Sequence, residues 1–344
     1  MNHKRTSKIH IFLLIFSFFI LNFNTQIYAQ SSKYIYGGYW RLDKSTNKFE
    51  VIPELQRISS IFTSTPLAID DKIYFCYTDD KFDLSHTKTS SAKLATINSQ
   101  TVKGRTILSE GVQGPNLIDI ASYKDGYLYC SEGNYIFRIK PNGTERTIIH
   151  KEEPSNPLNI IAVIDEYVYY NVTVTTFHAN GTFSEKRPLY RKNMKTNTIE
   201  LLNDNAYVST IVKSDTNDSL YFTAYEGIWK TDKSFKDFEL IKELERYTYG
   251  GTSKIEKIEG NNLYYSIAGY NVNPNRLVQL NLDTKEEAII INQLISGPLN
   301  YVLFQDNFIY YINDKGINRL NRQSNEDILV YKSPKTNLTF INQF

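Results

Sequence analysis

The feature that most constrains the fold of this chain is a short pattern that occurs seven times along it. Each copy begins with a turn-forming residue, continues through two apolar or aromatic positions, and places an aromatic residue in its fifth position. The first and last copies begin at Ser32 and Asp306, so their average spacing is about 46 residues, the length of one β-propeller blade. The fifth positions are Tyr36, Phe75, Tyr129, Tyr169, Phe222, Tyr265 and Tyr310.

A second pattern follows each copy and carries a mostly basic residue just before a turn. Short β-rich runs come next, and the segment before the following copy supplies one more strand. Each repeat therefore predicts the four antiparallel strands of one blade. We predict an all-β fold, a seven-bladed β-propeller of four-stranded antiparallel blades, with six blades as the alternative. The basic positions are Arg41, Arg138, Arg191, Lys230 and Arg319.

The regular recurrence of this basic residue indicates a structural role. A residue that occupies the same strand of repeat after repeat is expected to serve the same packing or ion-pairing purpose each time. We therefore favour that interpretation over a ring of ligand-binding cations.

The two ends of the repeat array predict how the ring closes. The first copy lacks a preceding inner strand, whereas the last copy is followed by a spare segment, Asn337 to Phe344. A C-terminal strand that completes the N-terminal blade would remove two exposed sheet edges. No Pro- or Ser-rich linker interrupts the repeats, so residues 30–344 are predicted to form one propeller domain.

Residues 1–29 have the order of a secretory signal peptide. A basic start precedes an apolar run from Ile9 to Phe23, and the segment ends at the small residue Ala29. Its continuous apolar part is shorter than the roughly 20 residues that span a bilayer, so we expect cleavage, secretion and no membrane span afterwards. Without this segment the chain has 36 basic and 37 acidic side chains, a balance that argues against a nucleic-acid partner.

The last repeat, with the sequence FIYYINDKGINRLNRQ, resembles the repeat of lipoprotein-receptor-type (YWTD-like) propellers. There an aromatic-aromatic-Thr-Asp stretch precedes a basic strand and a turn, and the Thr-Asp pair is retained loosely here as Thr78-Asp79 and Asn313-Asp314. The chain also resembles a family of secreted bacterial propellers of unknown function. Both resemblances imply a propeller fold, and the receptor-type repeat implies six blades where the present pattern predicts seven.

Motifs of common catalytic and metal sites are absent from the sequence. It has no Gly-x-Ser-x-Gly elbow, no His-Glu-x-x-His pair, no phosphate-binding loop and no Cys-x-x-Cys pair. The histidines after the signal peptide are His86, His150 and His178, which lie in distant predicted loops and predict no metal site. The acidic segments 79–83 and 215–218 do not match an EF-hand loop, so no metal and no cofactor is expected.

The two cysteines, Cys76 and Cys130, are too few for a disulfide-stapled scaffold. They occupy the same position in adjacent repeats, which predicts a separation of roughly 10 Å between packed sheets. A disulfide requires α-carbons within about 7 Å of each other. Both thiols are therefore predicted to be free.

Departures from the repeat indicate where a binding site would lie, because function in repeat proteins concentrates at insertions. Residues 78–92 and 172–186 are long predicted loops between second and third strands, on the face that also carries the connections between blades. With the linkers 150–157 and 242–251 they would enclose a cleft. The candidate ligand-binding residues there are Phe82, His86, Phe177, His178, Arg246, Tyr247 and Tyr249.

Two functions fit this pattern. The absence of catalytic motifs favours a non-catalytic extracellular binding module that recognises a protein, a peptide or a glycan through the loop-rich face. The alternative is a secreted hydrolase or lyase with carboxylates and histidines around the central channel. Acidic and His side chains that converge on the channel would favour the enzyme, whereas an aromatic and polar surface without displaced pKa values would favour binding.

Overall fold

The seven repeats fold into seven β-sheets in the computed structural model. Five of these sheets contain four antiparallel strands, the sheet of the second repeat contains four antiparallel strands and one added parallel strand, and the sheet of the first repeat contains three strands. The predicted seven-bladed, all-β propeller is therefore confirmed. The structure describes residues 33–58, 66–77, 92–99, 101, 105–110, 118–178, 182–204, 207–224, 227–244, 252–268, 275–294, 301–333, 338, 340 and 342–343.

The strands are numbered in chain order and grouped by blade. Blade one contains β1 (Tyr34–Tyr36), β2 (Trp40–Asp43) and β3 (Phe49–Val51), which stand in the second, third and fourth strand positions of the other blades. The short helix α1 (Pro53–Ile58) follows it. Blade two contains β4 (Leu67–Ile69), β5 (Lys72–Tyr77), β6 (Lys93–Asn98) and β7 (Thr106–Glu110). Blade three contains β8 (Ile118–Lys124), β9 (Tyr127–Glu132), β10 (Tyr135–Ile139) and β11 (Thr147–Lys151). Blade four contains β12 (Leu158–Ile164), β13 (Tyr167–Val172), β16 (Leu189–Asn193) and β17 (Ile199–Asn203), with an inserted hairpin of β14 (Val174–Phe177) and β15 (Phe183–Lys186).

The remaining blades repeat this arrangement. Blade five contains β18 (Thr210–Lys213), β19 (Leu220–Ala224), β20 (Gly227–Thr231) and β21 (Phe238–Glu243). Blade six contains β22 (Thr252–Glu259), β23 (Asn262–Ala268), β24 (Arg276–Asn281) and β25 (Glu287–Ile291). Blade seven contains β26 (Val302–Gln305), β27 (Phe308–Asn313), β28 (Gly316–Asn321) and β29 (Asp327–Lys332), and β30 (Asn342–Gln343) follows it.

Burial falls from the second strand of a blade to its fourth. In β9 and β13 nearly every residue is buried, because both faces of these strands pack against neighbouring blades. The fourth strands β11 and β17 are largely exposed. The apolar clusters accordingly lie between blades, and one of them joins β5 and β6 of blade two to β9 and β10 of blade three.

The cross-strand register shows that the repeat is built on tyrosine. The residue that faces the basic column across the second and third strands is a buried tyrosine in all seven blades. The predicted aromatic column is therefore displaced by one residue in three blades, where Phe75, Phe222 and Tyr265 had been assigned to it. The tyrosines of the column are Tyr36, Tyr74, Tyr129, Tyr169, Tyr221, Tyr264 and Tyr310.

Four blades carry an arginine opposite the column tyrosine, and each guanidinium lies over an aromatic ring two positions before that tyrosine. In the other three blades neither the arginine nor the ring is present. The arginine and the aromatic ring are thus present together or absent together. This supports the predicted structural role of the basic column, since Arg stacks favourably on aromatic faces. The distances from guanidinium carbon to ring centroid are 4.5 Å for Arg41 over Tyr34, 4.5 Å for Arg138 over Tyr127, 4.9 Å for Arg191 over Tyr167 and 4.8 Å for Arg319 over Phe308.

The turns between third and fourth strands are capped by Asp or Asn side chains. In four blades the turn begins with such a residue, whose backbone carbonyl accepts a hydrogen bond from the N–H four positions on. Its side-chain oxygen also accepts hydrogen bonds from the next N–H groups, as in an Asx turn. The fifth residue of each turn has a positive φ, and these residues are Asn47, Asn197, Lys285 and Asn325.

The C-terminal segment closes the ring at blade one. Phe340 forms an antiparallel bridge with Gly37, at the edge of β1 that faces away from β2. The Phe340 side chain is buried against Trp40, with 5.7 Å between the ring centroids. A Cβ atom on Gly37 would lie 1.9 Å from the Trp40 indole, so only glycine permits this packing. The predicted closure is confirmed, and β30 extends it by pairing in parallel with β4 of blade two.

Both cysteines are free and buried, as predicted. They lie in the cluster between blades two and three, where burial raises the pKa of the Cys130 thiol strongly. They do not occupy the same column, because Cys76 pairs with Leu94 and is two residues after its column tyrosine, whereas Cys130 is one residue after its own. The one-residue displacement in blade two explains this difference.

Candidate functional site

The insertion in blade four forms a β-hairpin rather than the predicted loop. Strands β14 and β15 pair only with each other and extend beyond the blade from the end of β13. Phe177 and Phe183 face each other across the last pair of the hairpin, with 6.4 Å between their ring centroids. Their exposed fractions are 81% and 66%, although aromatic rings of this size usually bury most of their surface.

The base of the hairpin is held firmly to the propeller. The Val172 backbone N–H donates to the carbonyl of Pro188 over 3.2 Å, and that of Thr173 donates to Pro157 over 2.9 Å. The Tyr207 hydroxyl donates to the Glu185 carbonyl over 2.9 Å, which ties β15 to the start of blade five. The two phenylalanines therefore project from an anchored support.

The hairpin tip is closed by local hydrogen bonds. The His178 backbone N–H donates to the Thr182 carbonyl over 2.8 Å, and the His178 Nε2 lies 3.0 Å from the Ser184 hydroxyl. His178 therefore shapes the turn beside the aromatic pair.

The exposed aromatic pair differs from the other exposed apolar residues of the described chain. Those residues all lie on the fourth strands, at the outer rim of the ring, as Ile199 and Leu201 do on β17. Each fourth strand shows one or two such residues, which is normal for a half-exposed strand. The phenylalanine pair lies instead on the face that carries the connections between second and third strands.

The structure places two of the seven predicted site residues at this position, Phe177 and His178. It also brings in Phe183, which lies in the same predicted loop but was not among the candidate ligand-binding residues, although alternation along residues 172–177 already indicates a strand and hence a cross-strand partner. The other predicted residues lie outside the part of the chain that the structure describes. They are Phe82, His86, Arg246, Tyr247 and Tyr249.

The carboxylates and histidines of the described residues are distributed over several blades. His150 lies on β11, not in a loop as predicted, and its Nε2 is 2.8 Å from Glu152. Burial raises the pKa of Asp119 on β8, whereas Glu256 on β22 is paired with Lys254 at 3.0 Å. Within the described ranges, no group of three or more His, Cys, Asp or Glu residues is arranged to hold a metal ion.

A pocket of about 470 Å³ opens on the opposite face, at the junction between blades three and four. Its walls come from the turns that connect first to second and third to fourth strands, together with residues of β9 and β10. The sequence prediction assigned no function to this face. The lining residues are Lys124, Asp125, Tyr127, Tyr129, Arg138, Asp165, Glu166, Met194 and Lys195.

Comparisons with known proteins identify the fold. No protein-family model matches the chain, and no curated protein matches it in sequence. The structure is similar to the GH74 xyloglucanase from Xanthomonas campestris, with a TM-score of 0.52, 10% identity, and coverage of 83% of this chain and 49% of that one. It is similar to a prolyl endopeptidase with a TM-score of 0.50, 9% identity, and coverage of 83% and 43%.

A nidogen/laminin complex also contains a similar chain, with a TM-score of 0.43, 12% identity, and coverage of 74% and 90%. At these identities the similarities to the xyloglucanase and to the prolyl endopeptidase show the fold alone. The lipoprotein-receptor-type resemblance therefore stays a prediction from the repeat. Among the described residues, no helix has the length and apolar character needed to cross a membrane.

Proposed function

We propose that this chain is an extracytoplasmic, non-catalytic binding module that holds a protein partner through the tip of the β14–β15 hairpin. The observation that carries the proposal is the exposed pair Phe177 and Phe183, supported on an anchored hairpin. Exposed aromatic side chains that are presented rigidly are typical anchors of protein interfaces. An aromatic pair that gained nothing from exposure would be expected to fold back onto the blade.

The chemistry of the tip favours a protein over a glycan. The two rings present apolar surface without hydroxyl or indole donors, and the Nε2 of the nearby His178 is already bonded to the Ser184 hydroxyl. A sugar ligand needs several hydrogen-bonding groups in its site, whereas an apolar depression in a partner protein can receive two phenylalanine rings directly. The exposed strand edges of the hairpin would add backbone hydrogen bonds to such an interface.

The test uses three forms of the protein as bait in the extracellular fraction of the source organism. The wild type is compared with Phe177→Ala/Phe183→Ala and with Ile199→Ala/Leu201→Ala, a matched control that removes exposed apolar side chains from the rim of the same blade. We expect a protein that the wild type and the control retain and the phenylalanine variant does not. The affinity for the purified partner should fall at least tenfold, about 1.4 kcal/mol, with the first variant only.

Equal retention of the partner by all three forms would exclude the hairpin tip as the site. Specific retention of an oligosaccharide instead of a protein would also contradict the proposal. Both variants should keep the wild-type unfolding temperature, because they truncate exposed side chains.

The export half of the proposal rests on the signal-peptide pattern in residues 1–29. We propose cleavage after Ala29 and a single propeller domain from residue 30 onward. N-terminal sequencing of the exported protein should start near Gln30, and retention of the apolar segment from Ile9 to Phe23 would contradict this.

A further inference from the structure

Two of the four stacked arginines bond the same two kinds of partner. The Arg41 guanidinium contacts Glu50 on the fourth strand at 2.7 Å and donates to the Ser99 carbonyl of blade two. The Arg191 guanidinium contacts Glu200 at 2.6 Å and donates to the Lys233 carbonyl of blade five. Each arginine thus bonds a glutamate in its own blade and a backbone carbonyl in the next.

Arg138 occupies the same position in blade three but lacks these partners. The residue that faces it on the fourth strand is Thr147, where Glu50 and Glu200 stand in blades one and four. Its Nε is buried without a hydrogen bond. Arg138 stacks on Tyr127, lies within electrostatic range of the Glu145 carboxylate, and lines the blade three–four pocket, defined by the nine lining residues given above.

The column tyrosine of blade three lacks the polar neighbour that the corresponding tyrosines of blades one and six have in the next blade. The Tyr36 hydroxyl donates to the Ser99 side chain over 2.9 Å, and the Tyr264 hydroxyl accepts from Arg322 over 3.3 Å. Ser99 and Arg322 hold the same place in their blades, three residues after the column partner on the third strand. Blade four has Met194 there, whose thioether is a weak acceptor and offers no donor to the Tyr129 hydroxyl.

These substitutions occur at the junction where the pocket opens. Tyr129 and Arg138 face each other across β9 and β10, and both line the cavity. Tyr127 forms an aromatic wall, and Met194 contributes apolar surface. A planar array of guanidinium donors with a neighbouring hydroxyl matches the geometry of a carboxylate.

We propose that the blade three–four pocket binds a small organic carboxylate, held by Arg138 and Tyr129 with its carbon skeleton against Tyr127 and Met194. The cavity of about 470 Å³ is within the usual size range for small-molecule sites. The nearby Asp165 carboxylate is bonded to Lys213 at 3.0 Å and to Lys233 at 3.2 Å, so it does not compete for Arg138.

The remaining acidic residues of the pocket favour a carboxylate over a phosphate. Asp125 and Glu166 line the cavity together with the cations Lys124 and Lys195. A phosphate with nearly two negative charges would be repelled by these carboxylates more strongly than a ligand with one. The Lys124 ammonium is also engaged already, since it donates to the Asp165 carbonyl.

The test measures binding of benzoate by calorimetry, with benzamide as the uncharged analogue and inorganic phosphate as the alternative anion. Arg138→Met removes the guanidinium, and Thr147→Glu supplies the carboxylate that blades one and four already contain. Lys151→Met is the control, because it removes one positive charge from β11 of the same blade, outside the pocket lining. The unfolding temperature of each variant shows that the propeller remains intact.

We expect the wild type and Lys151→Met to bind benzoate at concentrations of up to about 10 mM. Arg138→Met and Thr147→Glu should weaken that binding at least tenfold, and Thr147→Glu should unfold no lower than the wild type because Arg138 gains its partner. The proposal is overturned if the wild type binds benzoate no better than benzamide, or if phosphate binds as tightly. Equal weakening by Lys151→Met would also overturn it, since the effect would then be one of total charge.

Discussion

At the residue scale, the propeller repeats one pair of facing side chains. A buried tyrosine on the second strand faces a residue of the third strand, and where that residue is arginine an aromatic ring lies beneath its guanidinium. The arginine then extends across the blade junction when it finds acceptors there. Stability should therefore depend on whether a given arginine is bonded, and not on its presence in the column.

Arg191→Met should lower the free energy of unfolding by about 1 to 2 kcal/mol, because it removes a charge-assisted contact with Glu200 and a bond to blade five. Arg138→Met should change it by less than about 0.5 kcal/mol, because Arg138 lacks the glutamate partner of Arg191 and its Nε is buried without a hydrogen bond. Urea unfolding at neutral pH measures both values. Equal losses would show that the shared stacking interaction dominates over the hydrogen bonds.

Glu259 links blades six and seven through a titratable contact. Hydrogen bonds from Arg322 and then Lys257 lower the pKa of its carboxyl from 4.5 to about 2 in the folded protein. The stabilisation is therefore complete above pH 4.5 and is lost as the pH falls toward 2. Glu259→Gln should be less stable than the wild type at pH 7, by an amount reduced by the partial exposure of the site, and equally stable near pH 2.

A difference in stability between Glu259→Gln and the wild type that did not shrink on acidification would contradict the assigned contact. Thermal unfolding across this pH range provides the measurement. Lys151→Met, which changes a charge elsewhere, serves as the control for general charge effects.

The sequence predicted the aromatic column but not its register, and single residues show why. Blades two, five and six have two adjacent aromatic residues, Tyr74-Phe75, Tyr221-Phe222 and Tyr264-Tyr265, so either residue satisfies the pattern. Only the pairing with the third strand decides between them, and that pairing is non-local. The sequence did not single out Arg138 for the same reason. The residues that bond its counterparts in blades one and four lie on another strand and in another blade.

At the element scale, four turns between third and fourth strands share a single design. Each begins with Asp or Asn, and the fifth residue adopts a left-handed backbone conformation. Three of these fifth positions hold Asn, which tolerates that conformation better than most residues, whereas blade six holds Lys285 at φ 62°.

Lys285→Asn should therefore raise the free energy of unfolding by about 0.5 to 1 kcal/mol, because it relieves backbone strain. Lys285 also lies 3.8 Å from Glu239, but this exposed pair contributes little. Urea unfolding provides the measurement. The reverse substitution Asn197→Lys, at the same φ of 62°, should lower stability by a similar amount, and changes of the same sign in the two variants would contradict this account of the strain.

The hairpin of blade four shows how far strands could be predicted from the sequence. Residues 172–186 were expected as a loop because they break the repeat. The segment does contain an exposed aromatic residue from the predicted list, Phe177. The strand character of Val174 and its neighbours was visible in the alternation, but pairing of β14 with β15 needs the turn between them to close. Of the predicted site residues, Phe177 and His178 lie there because they are near the turn, which local sequence determines.

At the scale of the whole molecule, stability depends on closing the ring. Repeat proteins bury their cores between neighbouring units, so an unclosed end exposes a complete blade face. The C-terminal segment prevents this by placing Leu338 and Phe340 in the cluster between blades seven and one. The repeat count and the spare C-terminal segment sufficed to predict this closure, whereas the added pairing of β30 with β4 follows no repeat.

Phe340→Ala should cost about 3 kcal/mol of unfolding free energy, because it removes a fully buried ring next to Trp40. Phe183→Ala, which truncates an exposed ring, should cost less than about 0.5 kcal/mol. Deletion of residues 337–344 should be at least as damaging as Phe340→Ala. An unfolding temperature unchanged by that deletion would show that the segment does not close the ring.

The bridge between Gly37 and Phe340 also sets an order of events during biosynthesis. Its two residues are separated by about 300 positions, so the bridge forms only after nearly the whole propeller has been translated. Blades two to six can pair their strands locally as they emerge, but blade one must wait with its inner edge unpaired. A long-range contact of this kind is intrinsically slow to form. The first blade to be synthesised is therefore the last to be completed, and the nascent chain stays open until that moment.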